Sequence, residues 1–257
     1  MIVSAPGARI AARVDGPADA PALLLANSLG TTMALWDAVA ARFPGHRVIR
    51  FDLRGHGASE VPPAPYRMGQ LVADAEAVMD AAGAKDAVVV GLSIGGMIAQ
   101  GLAVKRPDLV RGLVLACTAV KMGTPQMWDD RIARVRAGGM EAVADAVLDR
   151  WFAPSFADRA AWRDCLLAID PEGYAGCCAA IGGADLITPT SGLRLPVLAL
   201  AGAEDRAAPP DLVRETADLV PGSRFELIRR CGHLPPVEQP DAMADHVSTF
   251  LDATGHR

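Results

Sequence analysis

One short stretch constrains this chain more than any other. The aliphatic run Val88-Val89-Val90 passes through Gly91-Leu92-Ser93-Ile94-Gly95-Gly96 into a segment with helical periodicity that reaches Lys105. A strand that turns into a helix within one residue forces that residue into a strained backbone conformation. Only glycines at the flanking positions, here Gly91 and Gly95, leave room for the chain to pass so closely. G-x-S-x-G in this setting predicts that Ser93 projects at a helix N-terminus, where free N–H groups and the helix dipole favour developing negative charge. The same residues also describe a plain glycine-rich helix start in which Ser93 only hydrogen-bonds the next turn. The choice between the two depends on partners elsewhere in the chain.

Short apolar runs bounded by turn residues recur at Ala22 to Ala26, Arg47 to Phe51, Ala87 to Leu92, Gly112 to Cys117, Pro196 to Ala201 and Arg224 to Ile228. Helix-period segments such as Met68 to Ala82 and Ile94 to Lys105 lie between them. The alternation predicts an α/β class: a mostly parallel twisted sheet with helices on both faces, and an initial hairpin near Ile2 to Val14 adding antiparallel edge strands. It breaks between Cys117 and Leu195, a stretch far too long for a connection. There the apolar stripe Met140, Val143, Ala144, Val147, Leu148 and Trp151, with Glu141, Asp145 and Asp149 on another face, is helical. The expected organisation is therefore a core of residues 1–117 and 195–257 with an inserted helical cap, 118–194. A chain of 257 residues can bury the core this needs. No repeat or low-complexity tract appears, and the Pro-rich segment Val61 to Pro65 is a loop.

A formal net charge of −5, with no block of Lys and Arg, argues against nucleic acid or an anionic membrane as partner. Any anionic ligand then needs a local cation. The longest apolar stretch, Ala87 to Ala99, is too short to span a bilayer, and the N-terminus lacks a charged-then-apolar secretory pattern, so a cytoplasmic location is expected. Five cysteines with no C-x-x-C pair form neither a disulfide framework nor a zinc site. Cys177 and Cys178 are read as small buried side chains. Cys231 could be a nucleophile, but no strand-to-helix turn surrounds it. Gly91 to Gly96 lacks the Lys-Ser/Thr ending of a phosphate loop, and no acid ends the following strand as dinucleotide binding would want. No cofactor and no metal are expected; a homo-oligomer is left open.

If Ser93 is a nucleophile, an acid and a histidine should follow it in that order, each in a loop after a strand. Gly202-Ala203-Glu204-Asp205 follows one predicted strand and Cys231-Gly232-His233 follows the next. Asp205 is the expected acid and His233 the expected base, with Glu204 as a local rival for the acid. The acid would fix the tautomer of the ring and stabilise the imidazolium formed as the serine loses its proton. His56, in Arg54-Gly55-His56-Gly57, is read as a structural hydrogen-bonding residue in a tight turn. His46, His246 and His256 are read as surface residues. Acyl transfer also needs two backbone donors for the oxyanion. Ile94 and Leu29 are the candidates, the latter in Asn27-Ser28-Leu29-Gly30-Thr31, whose composition also suits an ordinary turn.

Over nearly its whole length the chain resembles the 3-oxoadipate enol-lactonases, a branch of the α/β-hydrolases. Many hydrolases of that fold carry His-Gly where this sequence has Asn27-Ser28, and Asn-Ser-Leu-Gly-Thr looks like the enol-lactonase version. The segments Arg136-Ala137-Gly138-Gly139-Met140, Arg150-Trp151-Phe152 and Pro171 to Ile181 add to the likeness. One departure is Gly232-His233-Leu234-Pro235-Pro236, where the family would have a small polar pair in place of the two prolines. The resemblance implies the α/β-hydrolase fold and opening of a small-molecule lactone, 3-oxoadipate enol-lactone, to 3-oxoadipate through a Ser93 acyl-enzyme, a step in aromatic catabolism. The carboxylate of such a substrate demands a cation in or under the cap. Arg131 is the first choice, because Trp128, Arg131 and Val135 share one face of a helix from Pro125 to Arg136. Arg134 and Lys121 are rivals, and a solvated arginine on a cap helix is the plain alternative. Trp151, at the end of the apolar stripe, suits substrate contact or core packing. The triad alone would equally serve a carboxylesterase, a perhydrolase or a carbon–carbon bond hydrolase. A ligand-binding receptor with little turnover could also keep this fold. Haloalkane dehalogenases, which need a carboxylate at the nucleophile, are disfavoured by Ser93.

Overall fold

Each aliphatic run becomes a strand of a single sheet in the computed structural model, which describes residues 1–257. The chain opens with β1 (Ile2–Ala5), β2 (Ala8–Asp15) and β3 (Ala22–Ala26). A short 3-10 turn (Met33–Trp36) and α1 (Asp37–Ala40) then lead to β4 (Arg47–Phe51), α2 (Met68–Ala82), β5 (Ala87–Leu92), α3 (Ile94–Lys105) and β6 (Val110–Ala116). Five helices follow before the next strand: α4 (Pro125–Gly138), α5 (Glu141–Trp151), α6 (Arg159–Leu167), α7 (Pro171–Gly182) and α8 (Ile187–Ser191). The chain ends through β7 (Val197–Gly202), α9 (Pro210–Asp218), β8 (Arg224–Ile228), α10 (Pro235–Glu238) and α11 (Pro240–Ala253).

The strand order is β1-β2-β4-β3-β5-β6-β7-β8. The pairs β1/β2 and β2/β4 are antiparallel, and the rest are parallel. Every residue of β3, β5 and β7 is buried. This is why they read as unbroken apolar runs: a parallel strand covered on both faces has no solvent side to supply polar residues. The edge strand β8 is instead only partly covered, with Arg224 and Leu227 exposed and Ile228 alone buried. Three elements differ in their bounds from the sequence pattern. β6 begins at Val110 and ends at Ala116, where Cys117 turns to φ +47°, outside the extended region; β7 lies one residue later than expected, at Val197–Gly202; and α4 runs on to Gly138 before Gly139 closes it at φ +65°.

The positions of β4 and β5 on opposite sides of β3 create a crevice at the carboxyl ends of β3 and β5, the place where open α/β sheets bind ligands. Residues 27–31, 93, 117–118, 203–208 and 229–234 all leave strands at that edge. The loop after β4 is anchored beside it by a bidentate ion pair between Arg54 and Asp74 of α2, both fully buried, with N···O distances of 2.7 Å. On the other flank, Gln100 of α3 accepts from Thr190 of α8 and donates to the Gly96 carbonyl, so a buried amide is satisfied at both ends. The helices between β6 and β7 pack over the crevice, and their apolar faces join the same hydrophobic cluster as the sheet.

Candidate active site

Ser93 sits between β5 and α3 with φ 57° and ψ −119°, a strained conformation for a residue with a side chain. The neighbouring glycines explain how the turn closes. A Cβ on Gly91 would lie 2.3 Å from the Gly95 carbonyl oxygen, and one on Gly95 would lie 2.3 Å from the Ala26 carbonyl oxygen. The second contact brings the N-terminus of α3 against the end of β3 and sets the loop 27–31 beside Ser93. The backbone is held there by Ser93 N–H to Ala116 O (2.9 Å) and by the Thr118 hydroxyl donating to Ser93 O (2.6 Å).

His233 Nδ1 lies 2.8 Å from Asp205 Oδ2, with both side chains buried. The other carboxylate oxygen, Oδ1, accepts from the N–H groups of Ala207 (2.7 Å) and Ala208 (2.9 Å). With the carboxylate acting only as acceptor, the Nδ1 proton must point at Asp205, which leaves the Nε2 lone pair for a hydroxyl. His233 and Ser93 open on the same cavity. No hydrogen bond joins the two side chains, a contact that commonly tightens only as the reacting complex forms. Glu204, the rival acid, is exposed and makes no bond to His233. The two loops meet because β7 ends in Gly202, where a Cβ would fall 1.8 Å from the Gly232 carbonyl oxygen.

Loop 27–31 is fixed at several points. The Asn27 amide donates to Phe51 O (2.8 Å), the Thr31 hydroxyl to Ser28 O (2.8 Å), and the Gly30 N–H to His56 Nε2 (3.0 Å). His56 Nδ1 in turn donates to Arg54 O (3.2 Å). Burial pushes its pKa down to about 4, so the ring is neutral and Nε2 remains an acceptor. The structural hydrogen bond read from the tight turn is thus a brace on the loop that carries Leu29. The Leu29 N–H has no protein acceptor, and Ile94 N–H, at the first position of α3, is an orphan donor of the helix start. Ser28 also lines the cavity, with its hydroxyl buried and unpartnered.

The cavity measures about 270 Å³. Its floor is Ser28, Leu29, Ser93 and His233; its roof comes from α4, α5 and α7, including Met127, Trp128, Arg131, Arg150, Trp151 and Tyr174. Trp128 donates its indole N–H to the Met122 carbonyl and lies under the Arg131 guanidinium, whose carbon is 4.8 Å from the ring centroid. Trp151 fills both roles considered for it, since it lines the cavity and is buried against Gly30. Arg134 is not on this wall; it faces a second cavity. Lys121 is also absent, and its ammonium is paired with Asp185 at 3.2 Å. Cys231 is buried, and burial together with Glu238 pushes its thiol well above the usual range, so it carries no thiolate. Cys117 Sγ lies within 4.8 Å of the ligand atoms of Asp205 and His233; burial and the Asp205 charge likewise hold its thiol protonated.

Comparison with known proteins bears on this geometry. Residues 21–164 match the model of a family described as the alpha/beta hydrolase fold. The chain belongs to the α/β-hydrolase family. This α/β-hydrolase is 36% identical to 3-oxoadipate enol-lactonase 2 of Acinetobacter baylyi, over 92% of the chain and 90% of that protein. It is 29% identical to 3-oxoadipate enol-lactonase 1 of the same organism, over 98% and 96% of the two. Among solved structures, the enol-lactonase from Burkholderia xenovorans superposes with a TM-score of 0.94 at 36% identity, covering 98% of this chain and all of the other.

Within this α/β-hydrolase, three features of the site were not read from the sequence. Arg150 and Arg206 both line the cavity. Arg150 stands three residues after Val147, at the margin of the apolar stripe of α5, which is the signal that could have found it. The third is Glu238, half-buried, which accepts from Gly232 N–H (2.9 Å) and Ala153 N–H (2.8 Å). With His233 N–H donating to the Trp151 carbonyl (2.6 Å), it clamps the histidine loop to the end of α5. Burial raises the pKa of this carboxyl.

Proposed function

We propose that this chain is a 3-oxoadipate enol-lactonase acting in aromatic catabolism, with Ser93, His233 and Asp205 as its triad and residues 118–194 as the cap. The observation that carries the substrate is the pair Arg131 and Arg150 on the cavity roof opposite Ser93, neither in an ion pair, in a chain of net charge −5. Burial and the Arg131 charge lower the pKa of Arg150, as expected of two guanidinium groups that share a partly dry space and pair with no carboxylate of the chain. A lactone that carries a carboxylate supplies that anion, and the names of the enol-lactonase relatives support the choice. A cytoplasmic setting is in keeping with five unpaired cysteines. No helix is long and apolar enough to cross a membrane.

In this reading the carboxylate docks on Arg131 and Arg150 beside the Trp128 and Trp151 indoles, and the lactone carbonyl reaches Ser93. His233 Nε2 takes the serine proton as Oγ attacks, and Asp205 stabilises the imidazolium. Leu29 and Ile94 N–H groups hold the oxyanion, and the free Ser28 hydroxyl is one more donor for the substrate. Collapse of the intermediate breaks the ring C–O bond. The leaving enol oxygen takes the proton from His233, and the acyl-enzyme remains. A water then loses a proton to His233 and attacks the ester carbonyl; the Oγ–acyl bond breaks, Ser93 Oγ takes that proton back from His233, and the acid is released. Ketonisation of the enol makes ring closure unfavourable.

The roof contacts are testable separately from the triad. Arg131→Ala and Arg150→Ala should each raise KM for the enol-lactone by roughly ten- to a hundredfold, the range expected for one charge-assisted hydrogen bond. KM for the neutral ester p-nitrophenyl acetate should barely change. Equal effects on both substrates would remove the arginines from carboxylate recognition.

A further inference from the structure

On the outer side of Arg131 and Arg150 lies a second cavity, of about 260 Å³, between α4 and α5. It shares Met127, Arg131, Val147 and Arg150 with the catalytic cavity, so these four side chains are the partition between the two. Its composition follows from helical spacing. Met127, Arg131 and Arg134 fall at i, i+4 and i+7 on α4, and Val143, Val147 and Arg150 fall at the same spacing on α5. Residues so spaced share one helix face, and in a packed helix pair the facing stripes are normally apolar. Here three of those six positions are arginine.

Nothing in the chain neutralises them. No salt bridge involves Arg131, Arg134 or Arg150, although acids are close in sequence. Glu141 and Asp145 of α5 are paired with Arg163, and Asp149 is paired with Arg159, both on α6. The cap thus sorts its charges: α5 sends its carboxylates to α6 and leaves the seam with α4 purely cationic. Three like charges round one small space repel one another, and two of them are partly buried. The arrangement is favourable when an anion joins them. In a chain of net charge −5 it is also the local field that draws an anion towards the cap.

We propose that the outer cavity is a second anion site, selective for small carboxylates, in which Arg134 holds a carboxylate together with the two arginines of the partition. The site takes its ligand class from the function proposed above. Lactone opening turns a monocarboxylate into a dicarboxylate, so the outer cavity serves the substrate on entry and the more highly charged product on departure. Arg131 and Arg150 border both cavities and pass the carboxylate between them. Arg134, which touches only the outer one, is its diagnostic residue.

The test is calorimetric titration of succinate at low ionic strength into protein whose Ser93 has been blocked with diethyl p-nitrophenyl phosphate, with the modification checked by mass. Blocked wild type should take up one equivalent. Blocked Arg134→Gln should bind it at least about tenfold more weakly, and Arg134→Lys should retain binding. Unblocked protein gives the second measurement: two equivalents for wild type and one for Arg134→Gln. Thermal melting of each variant checks its fold. Blocked wild type that takes up no succinate, or an Arg134→Gln variant that binds as much as wild type in either form, would overturn the proposal. Loss of enol-lactone turnover with Arg134-dependent binding intact would instead sink the functional reading and leave this site standing.

Discussion

Replacing Asp205 by asparagine should lower kcat by about 10⁴-fold with little change in melting temperature, the scale seen when a triad acid is made neutral without loss of shape. The hydrogen bonds explain why so conservative a change matters. Asp205 Oδ1 accepts two backbone N–H groups, from Ala207 and Ala208, so the amide oxygen of an asparagine would have to occupy that position. Its NH₂ would then face His233 Nδ1, where Oδ2 now lies at 2.8 Å. Donation from that amide requires a lone pair on Nδ1 and puts the ring proton on Nε2, the nitrogen that must accept from Ser93. The catalytic tautomer would be lost while the loop stayed in place. Steady-state kinetics on either substrate checks this; a fall smaller than tenfold would mean that Asp205 does not orient the base.

Gly95→Ala should be nearly as damaging by a different route. The new methyl would sit 2.3 Å from the Ala26 carbonyl oxygen and 2.7 Å from that of Asn27, both backbone atoms fixed by the sheet and by the Asn27 amide bond to Phe51. No side-chain rotation relieves such a contact, so α3 must draw back from β3. Overpacking against backbone should lower stability by about 3 kcal/mol, or roughly 10 °C in Tm for a chain of this size. The same movement separates the Ile94 N–H from the Leu29 N–H, so activity below the melting range should fall about 10²-fold or more, as when one oxyanion donor is lost. Melting and kcat measured together decide it. A variant of wild-type stability and activity would show that the close approach is not needed.

What the sequence made legible follows from which forces act locally. Buried parallel strands appear as unbroken aliphatic runs, so their positions could be read to within two residues at each end, the shifts falling on β6 and β7. The turn at Ser93 is equally local, because the strain and the glycines that permit it lie within five residues. The roof of the cavity is another matter. Arg131 and Arg134 are three residues apart on one helix, and which of them reaches the catalytic cavity depends on the way α4 lies over the sheet. Arg150 is assigned by the same packing. Long-range polar contacts also leave no sequence signal: His56 braces Gly30 from 26 residues away, and Glu238 joins Gly232 to Ala153 across 85.

The substrate is the claim on which the rest depends, and the loss of enol-lactone absorbance beside the release of p-nitrophenol from p-nitrophenyl acetate measures it directly. Wild type should turn over the lactone with kcat/KM about 10²-fold or more above that for the acetate, because only the lactone carries the carboxylate that Arg131 and Arg150 can bind in the transition state. Ser93→Ala should turn over neither at a comparable rate. A wild type no faster on the enol-lactone than on the acetate, with both activities lost in Ser93→Ala, would contradict lactone specificity and leave a general carboxylesterase.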